Sequence, residues 1–145
     1  MLRKIISYNK AGESTLVIIK PDGVKRKLYP AIMQRILSKG LDIKKLSMLT
    51  LKKSLLKKHY AHIVKRPFYP RVEEYMTSGP VVAMEVSGPN SVKLIRNMTG
   101  KTDGTKAAPG TFRGDYCFTK NENIIHTSDS IENAKVELNR LFGKK

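Results

Sequence analysis

The chain has 145 residues, 40% of them hydrophobic, which suits one compact domain with a real core and excludes wholesale disorder. Its 28 Lys and Arg outnumber 12 Asp and Glu for a net charge of +16, implying polyanionic company: nucleic acid, a membrane surface or phosphorylated small molecules. A single cysteine, Cys117, excludes an internal disulfide and a multi-cysteine zinc site, and with no run long enough for a bilayer and no signal-peptide pattern, a cytoplasmic protein without membrane association is expected.

Residues 1–13 read as a flexible polar arm ahead of a single domain over residues 14–145. Thr15–Lys20 (TLVIIK) is a β-branched run ended by the turn signal Pro21-Asp22-Gly23. Such an apolar segment predicts a strand covered on both faces and central in its sheet. Tyr29, Ile32, Met33, Ile36 and Leu37 recur at helical spacing, and Gly40 closes that segment. Leu41–Leu51 alternates as a second strand. Leu55, Leu56, Tyr60 and Ile63 mark a helix stopped before Pro67, and a shorter helix spans Pro70 to Thr77.

Pro80–Val86 predicts a third strand with Val82, Met84 and Val86 on one face, and Ser91–Met98 a short helix. From Thr99 to Gly114 glycines recur and apolar side chains are almost absent, a long loop of the functional or disordered kind. Tyr116–Thr119 is expected as the fourth strand. Ile131, Ala134, Leu138, Leu141 and Phe142 form an amphipathic C-terminal helix, with Asp129 as N-cap and Glu132 completing a capping box. Strands and helices interleave, so the predicted class is an α/β (α+β) sandwich with helices over a four-stranded sheet.

Two chemical motifs fail on inspection. Gly100-Lys101-Thr102 mimics a phosphate-binding loop, but Ile95 stands where the first glycine belongs and the segment follows a helix. Arg113–Phe118 begins like an RNA-binding strand, then places Asp115 where a stacking aromatic belongs, leaving only non-specific electrostatic binding. His59 and His62 fall in a Lys-rich helix and read as solvated surface. His126 follows the apolar pair Ile124-Ile125 and precedes Thr127-Ser128-Asp129-Ser130 at a helix start. Hydroxyls, a carboxylate and helix N–H groups thus converge on one imidazole, and composition alone leaves a structural role and a functional one equally open.

Five ordered blocks carry a more specific signal: Thr15–Val24 (TLVIIKPDGV), Arg66–Pro70 (RPFYP), Ser78–Ala83 (SGPVVA), Ala108–Asp115 (APGTFRGD) and Asn123–Ser130 (NIIHTSDS). Together they resemble the motifs of nucleoside diphosphate kinases, over a stretch from Ser14 to Phe142. The resemblance implies a ferredoxin-like, four-stranded antiparallel sheet covered by helices. It also implies ping-pong transfer of the γ-phosphate of ATP to a nucleoside diphosphate through a phosphohistidine at His126.

On the same resemblance, Glu137 matches the carboxylate that holds the other ring nitrogen and Ser128 a hydroxyl beside it. Lys20 matches a phosphate-contacting lysine, Arg96 and Arg113 phosphate-clamping arginines, and Thr102 a hydroxyl donor. Tyr60 matches an active-site tyrosine near the transferring phosphate. Phe68 matches the ring on which the base stacks, Val72 the side chain opposite, and Asn123 a partner of the ribose hydroxyls. Such cations suit a reaction that is mostly positioning and charge neutralisation. Mg²⁺ is implied, carried on the nucleotide phosphates, with Asp129 reaching it through water.

The sequence departs from many relatives in carrying Gly104 in place of a proline in a subunit-contact loop, and His62 and Lys65 at often acidic positions. It also ends at Lys145 without the C-terminal extension of many eukaryotic members. The resemblance implies a homo-oligomer, a hexamer favoured over a tetramer. Its surface lysines leave weak non-specific nucleic-acid binding as an alternative or added role.

Overall fold

Four strands, β1 (Ser14–Ile19), β2 (Asp42–Leu49), β3 (Val81–Ser87) and β4 (Ile125–Thr127), form one antiparallel sheet in the order β2-β3-β1-β4. The structure, a computed structural model, describes residues 12–143, so the arm expected over residues 1–13 lies outside it up to residue 11. Glu13 is tied down: its carboxylate accepts from the Val92 N–H at 3.0 Å. The helices are α1 (Pro21–Lys25), α2 (Tyr29–Ser38), α3 (Lys53–His59), α4 (Tyr69–Met76), α5 (Ser91–Thr99), α6 (Phe112–Tyr116) and α7 (Ile131–Phe142).

The apolar run of β1 does what such a run requires. It lies inside the sheet, with Val17 and Ile19 on one face and Leu16 and Ile18 on the other. The first face packs with Val82, Met84 and Val86 of β3 against Ile32 and Ile36 of α2 and Ile95 of α5. The second meets Leu56 of α3 and Met76 of α4, with Leu138 and Leu141 of α7 packed alongside. Both faces are therefore covered by helices, and the crossovers β1-to-β2 and β3-to-β4 each skip one strand. That is the ferredoxin-like α+β sandwich expected.

Four local expectations are corrected. Tyr116–Thr119 is not the fourth strand, because Thr111 Oγ1 accepts from the Gly114 N–H at 3.0 Å and starts α6 there. Strand β4 forms one apolar pair later, at Ile125–Thr127. The cap of α7 is Ser130, whose Oγ accepts from the Asn133 N–H at 3.1 Å; Asp129 instead accepts from the Asn133 side chain at 2.6 Å. Helix α3 ends at His59 and does not reach Ile63, and Leu37 points to solvent. Among the described residues, no helix is long and apolar enough to cross a membrane.

Candidate active site

The end of β1 and the segment leading into β4 are strapped together. The Lys20 N–H donates to the Ile124 carbonyl at 2.7 Å, and the Ile124 N–H donates to Asp22 Oδ2 at 3.2 Å. Asp22 also accepts from the Tyr75 hydroxyl. These contacts hold Ile124 at φ 60°, a left-handed conformation costing a β-branched residue on the order of 1–3 kcal/mol. Gly23 permits the approach: a Cβ there would sit 2.7 Å from Ile19 Cγ2 and 3.0 Å from the Ile124 carbonyl oxygen. The Pro-Asp-Gly signal thus opens α1 and clamps Ile124, which is one residue from Asn123 and two from His126.

His126, in the middle of β4, pairs with Ile18 and opens on a cavity of about 470 Å³. Its Nε2 lies 2.7 Å from Glu137 Oε2 on α7. Burial alone would raise the Glu137 carboxyl, but the hydrogen bond from His126, the fields of both nearby imidazoles and a Ser128 hydrogen bond hold it below the usual range. An ionised Glu137 accepts the Nε2 proton, so Nδ1 keeps the free lone pair of a neutral ring.

Cations face that nitrogen's surroundings. Lys20, Arg96 and Arg113 line the cavity with Thr102, Asn123 and Tyr60. Lys20 Nζ donates to Asn123 Oδ1 at 2.7 Å, and Asn123 Nδ2 donates to the Thr102 carbonyl at 3.2 Å. Burial, then the Arg113 charge, push the Lys20 ammonium down to about 8, so it is charged below that pH and loses its charge above it. Accordingly, kcat/KM, which reports the free enzyme, is expected to fall as pH rises through about 8. Lys20→Arg, whose charge persists, should remove that limb from the pH profile; a wild-type profile flat well beyond it would refute the assignment. Burial pushes the Tyr60 phenol up to about 12, so it remains an O–H donor.

Three of the expected residues, Phe68, Val72 and Ser128, stand apart from the cavity lining. Phe68, 49% exposed, precedes α4, and Val72 packs on the lower core. Ser128 lies beneath the site, fully buried, with Oγ accepting from the Leu16 N–H at 3.2 Å. His59 is the largest departure. Expected on the surface, it is packed against His126 with ring centroids 4.6 Å apart. Its spacing from Leu55 and Leu56, four and three residues back, placed it on the apolar face of α3, the signal that its lysine neighbours obscured.

His59, His126 and Glu137 bring three ligand-type atoms within 4.8 Å. Two of those atoms, His126 Nε2 and Glu137 Oε2, already bond each other, and Arg140 lies 3.4 Å from His59 Nδ1, so a cation there would meet like charge. Asp129 would suit magnesium better: it lines the cavity beside Arg96, and the Asn133 hydrogen bond holds its carboxyl below the usual range. One ionised carboxylate suits a metal that keeps its waters and binds chiefly through phosphates.

A carboxylate-held imidazole facing a cation-lined cavity is the arrangement of a phosphoryl-transfer site. The family model described as nucleoside diphosphate kinase matches residues 13–145. The nucleoside diphosphate kinase of Ignicoccus hospitalis is 47% identical over 130 residues, covering 90% of this chain and 88% of that one. That of Rhodopirellula baltica is 45% identical over 130 residues, covering 90% and 86%. Among solved structures, the apo enzyme of Encephalitozoon cuniculi aligns with TM-score 0.88 at 39% identity over 91% of this chain and 90% of its own. The halophilic enzyme of Halobacterium salinarum, in complex with CDP, aligns with TM-score 0.88 at 36% identity over 91% and 88%. The chain belongs to the nucleoside diphosphate kinase family, whose activity is phosphoryl transfer between nucleotides.

Proposed function

We propose that residues 14–145 form one catalytic domain that passes the γ-phosphate of a nucleoside triphosphate to a nucleoside diphosphate through His126. The lone pair of Nδ1 attacks the γ-phosphorus, an N–P bond forms, and the bond to the β–γ bridging oxygen breaks to release the diphosphate. A terminal oxygen of the second diphosphate then attacks the same phosphorus and frees the imidazole. Throughout, Glu137 holds the Nε2 proton and balances the charge that gathers on the ring. Lys20, Arg96 and Arg113 neutralise the phosphate oxygens, Thr102 and Tyr60 donate to them, and Asn123 meets the ribose. Asp129 would approach, through water, a Mg²⁺ carried by the nucleotide, whose chemistry there would be further charge neutralisation.

The observation that carries this reading is the 2.7 Å contact between His126 Nε2 and Glu137 Oε2 at the wall of a cavity lined by cations. The test is a phosphoenzyme: γ-labelled ATP with magnesium alone should leave acid-labile, base-stable label on the protein. Acid-stable label would place the phosphate on a hydroxyl and overturn it.

The base is the part of the substrate with the least polar readout. The exposed Phe68 ring offers stacking surface outside the cavity lining, and the resemblance implies Val72 on the other side of the base. Discrimination between GDP and CDP as acceptors is therefore expected to stay below about 10⁴ in kcat/KM, because larger ratios need matched buried polar groups. Competition assays with mixed diphosphates measure it directly. Leu46 and Met48, exposed side by side on edge strand β2, support assembly as a homo-oligomer, a hexamer before a tetramer, which native mass would read. The cytoplasm, where nucleoside triphosphates are held, is the compartment this activity implies.

A further inference from the structure

The transfer scheme leaves His59 without a task, yet its side chain is only 5% exposed. The ring stands edge-on to Tyr60, with centroids 4.8 Å apart, and to His126 at 4.6 Å. Its Nδ1 lies 3.6 Å from Glu137 Oε2, the same oxygen that His126 Nε2 approaches at 2.7 Å. On its other side, Arg140 presents a guanidinium nitrogen to that Nδ1 at 3.4 Å.

A guanidinium can only donate, so Nδ1 accepts and the proton of the neutral ring sits on Nε2. In that tautomer His59 turns a lone pair toward Glu137, and two acceptors do not bond. A second proton, on Nδ1, would reverse this: His59 would become a competing donor to the oxygen that holds the nucleophile. We propose that His59, its tautomer set by Arg140, is a positioning residue that keeps Glu137 committed to His126. The proposal rests on His126 being the nucleophile.

Arg140 is placed for this role. It lies one helical turn beyond Glu137 on α7, on the stripe with Asn133 that lines the cavity, and it pairs with no carboxylate among the described residues. The ionisable groups that face His59 are Glu137 and Arg140 from α7, His126 from β4, Lys20 at the end of β1 and its neighbour Tyr60. Burial and then the field of His126 oppose its protonation, with Arg140 and Lys20 adding to them and Glu137 acting the other way. Without Arg140, His59 gains its second proton at higher pH.

The test is the pH dependence of kcat for the full chain, in wild type, Arg140→Leu, Arg140→Lys, His59→Asn and the His59→Asn/Arg140→Leu double variant. Arg140→Leu is expected to move the midpoint of the acid limb upward by about one pH unit, the scale of a like charge removed from beside an imidazole. At acid pH the loss should fall on kcat and leave the KM for the diphosphate within about threefold, since the transfer scheme gives neither His59 nor Arg140 a substrate contact. Arg140→Lys, which keeps charge and donor, should return the limb toward wild type. In the His59→Asn background the shift should vanish, because no second imidazole remains to titrate. A limb unmoved in Arg140→Leu, or an equal shift in the His59→Asn background, overturns the proposal; the latter would mean that Arg140 acts on His126 directly. If thermal melts show His59→Asn unfolded, the leucine and lysine variants decide alone, and equal shifts in both refute the tautomer role. Turnover by His126→Ala would instead remove the nucleophile assignment, and this proposal with it.

Discussion

His126→Ala is expected to lose label and turnover together, by at least ~10⁴-fold in kcat, because no neighbouring side chain can take over the nucleophile's part. His59, the imidazole packed against His126, turns its Nδ1 to Arg140 and Glu137 and stands edge-on to Tyr60. Tyr60 is held protonated by burial, and the fully buried Ser128 Oγ accepts from the Leu16 N–H and hydrogen-bonds Glu137. The fold should survive, with a stability loss of about 1–3 kcal/mol for a buried carboxylate deprived of its partner. That loss has a sign in pH. The Glu137 carboxyl lies below the usual range in the folded chain, so its stabilisation is present above the unfolded value of about 4.3 and disappears as pH falls through the folded one. Melting temperatures of the two proteins should differ most near neutrality and converge in acid. Retained label in the variant would disprove the assignment, and melts that differ equally at every pH would disprove the role of Glu137.

What the sequence made legible, and what it hid, follows from how local each cause is. The strand Thr15–Ile19 was readable because five buried side chains in a row leave no polar face. Helix α7 was readable from its apolar stripe, although its cap moved by one residue to Ser130. Strand β4 was missed because Tyr116, Cys117 and Phe118 have strand-like side chains, while one hydroxyl, Thr111 Oγ1, decides for a helix ahead of them. The site divides the same way. Lys20 and His126 belong to recognisable blocks, but the strap from Asp22 to Ile124 joins residues 102 apart in sequence. His59 meets Arg140 across 81 positions, a pairing no window of residues reveals.

Arg113 should prove to be both a clamp for phosphate and a strut for the site, and its variants separate the two roles. Its guanidinium, almost entirely buried, donates from Nε to the Asn123 carbonyl at 3.3 Å, from one terminal nitrogen to Gly100 at 3.2 Å and from the other to Ile125 at 2.6 Å. Those carbonyls bracket the loop after α5 and the segment that carries Asn123 and His126, so one side chain fixes two walls of the cavity. Each terminal nitrogen keeps a second N–H for phosphate oxygens. Arg113→Met is therefore expected to cost about 3–5 kcal/mol, since the buried carbonyls lose charge-assisted donors. At 2–4 °C per kcal/mol for a chain of this size, the melting temperature should fall by roughly 10 °C. It should also cost ~10²–10³-fold in kcat, the usual loss when one preorganised donor to transition-state charge is removed. Arg113→Lys restores the charge and no fork, so it should recover part of kcat while its melting temperature stays close to that of the methionine variant. A lysine variant that melts like wild type would show that the carbonyl contacts contribute nothing, leaving Arg113 as a clamp alone. A methionine variant with undiminished kcat would leave it as a strut, and the transferring phosphate would then depend on Lys20 and Arg96.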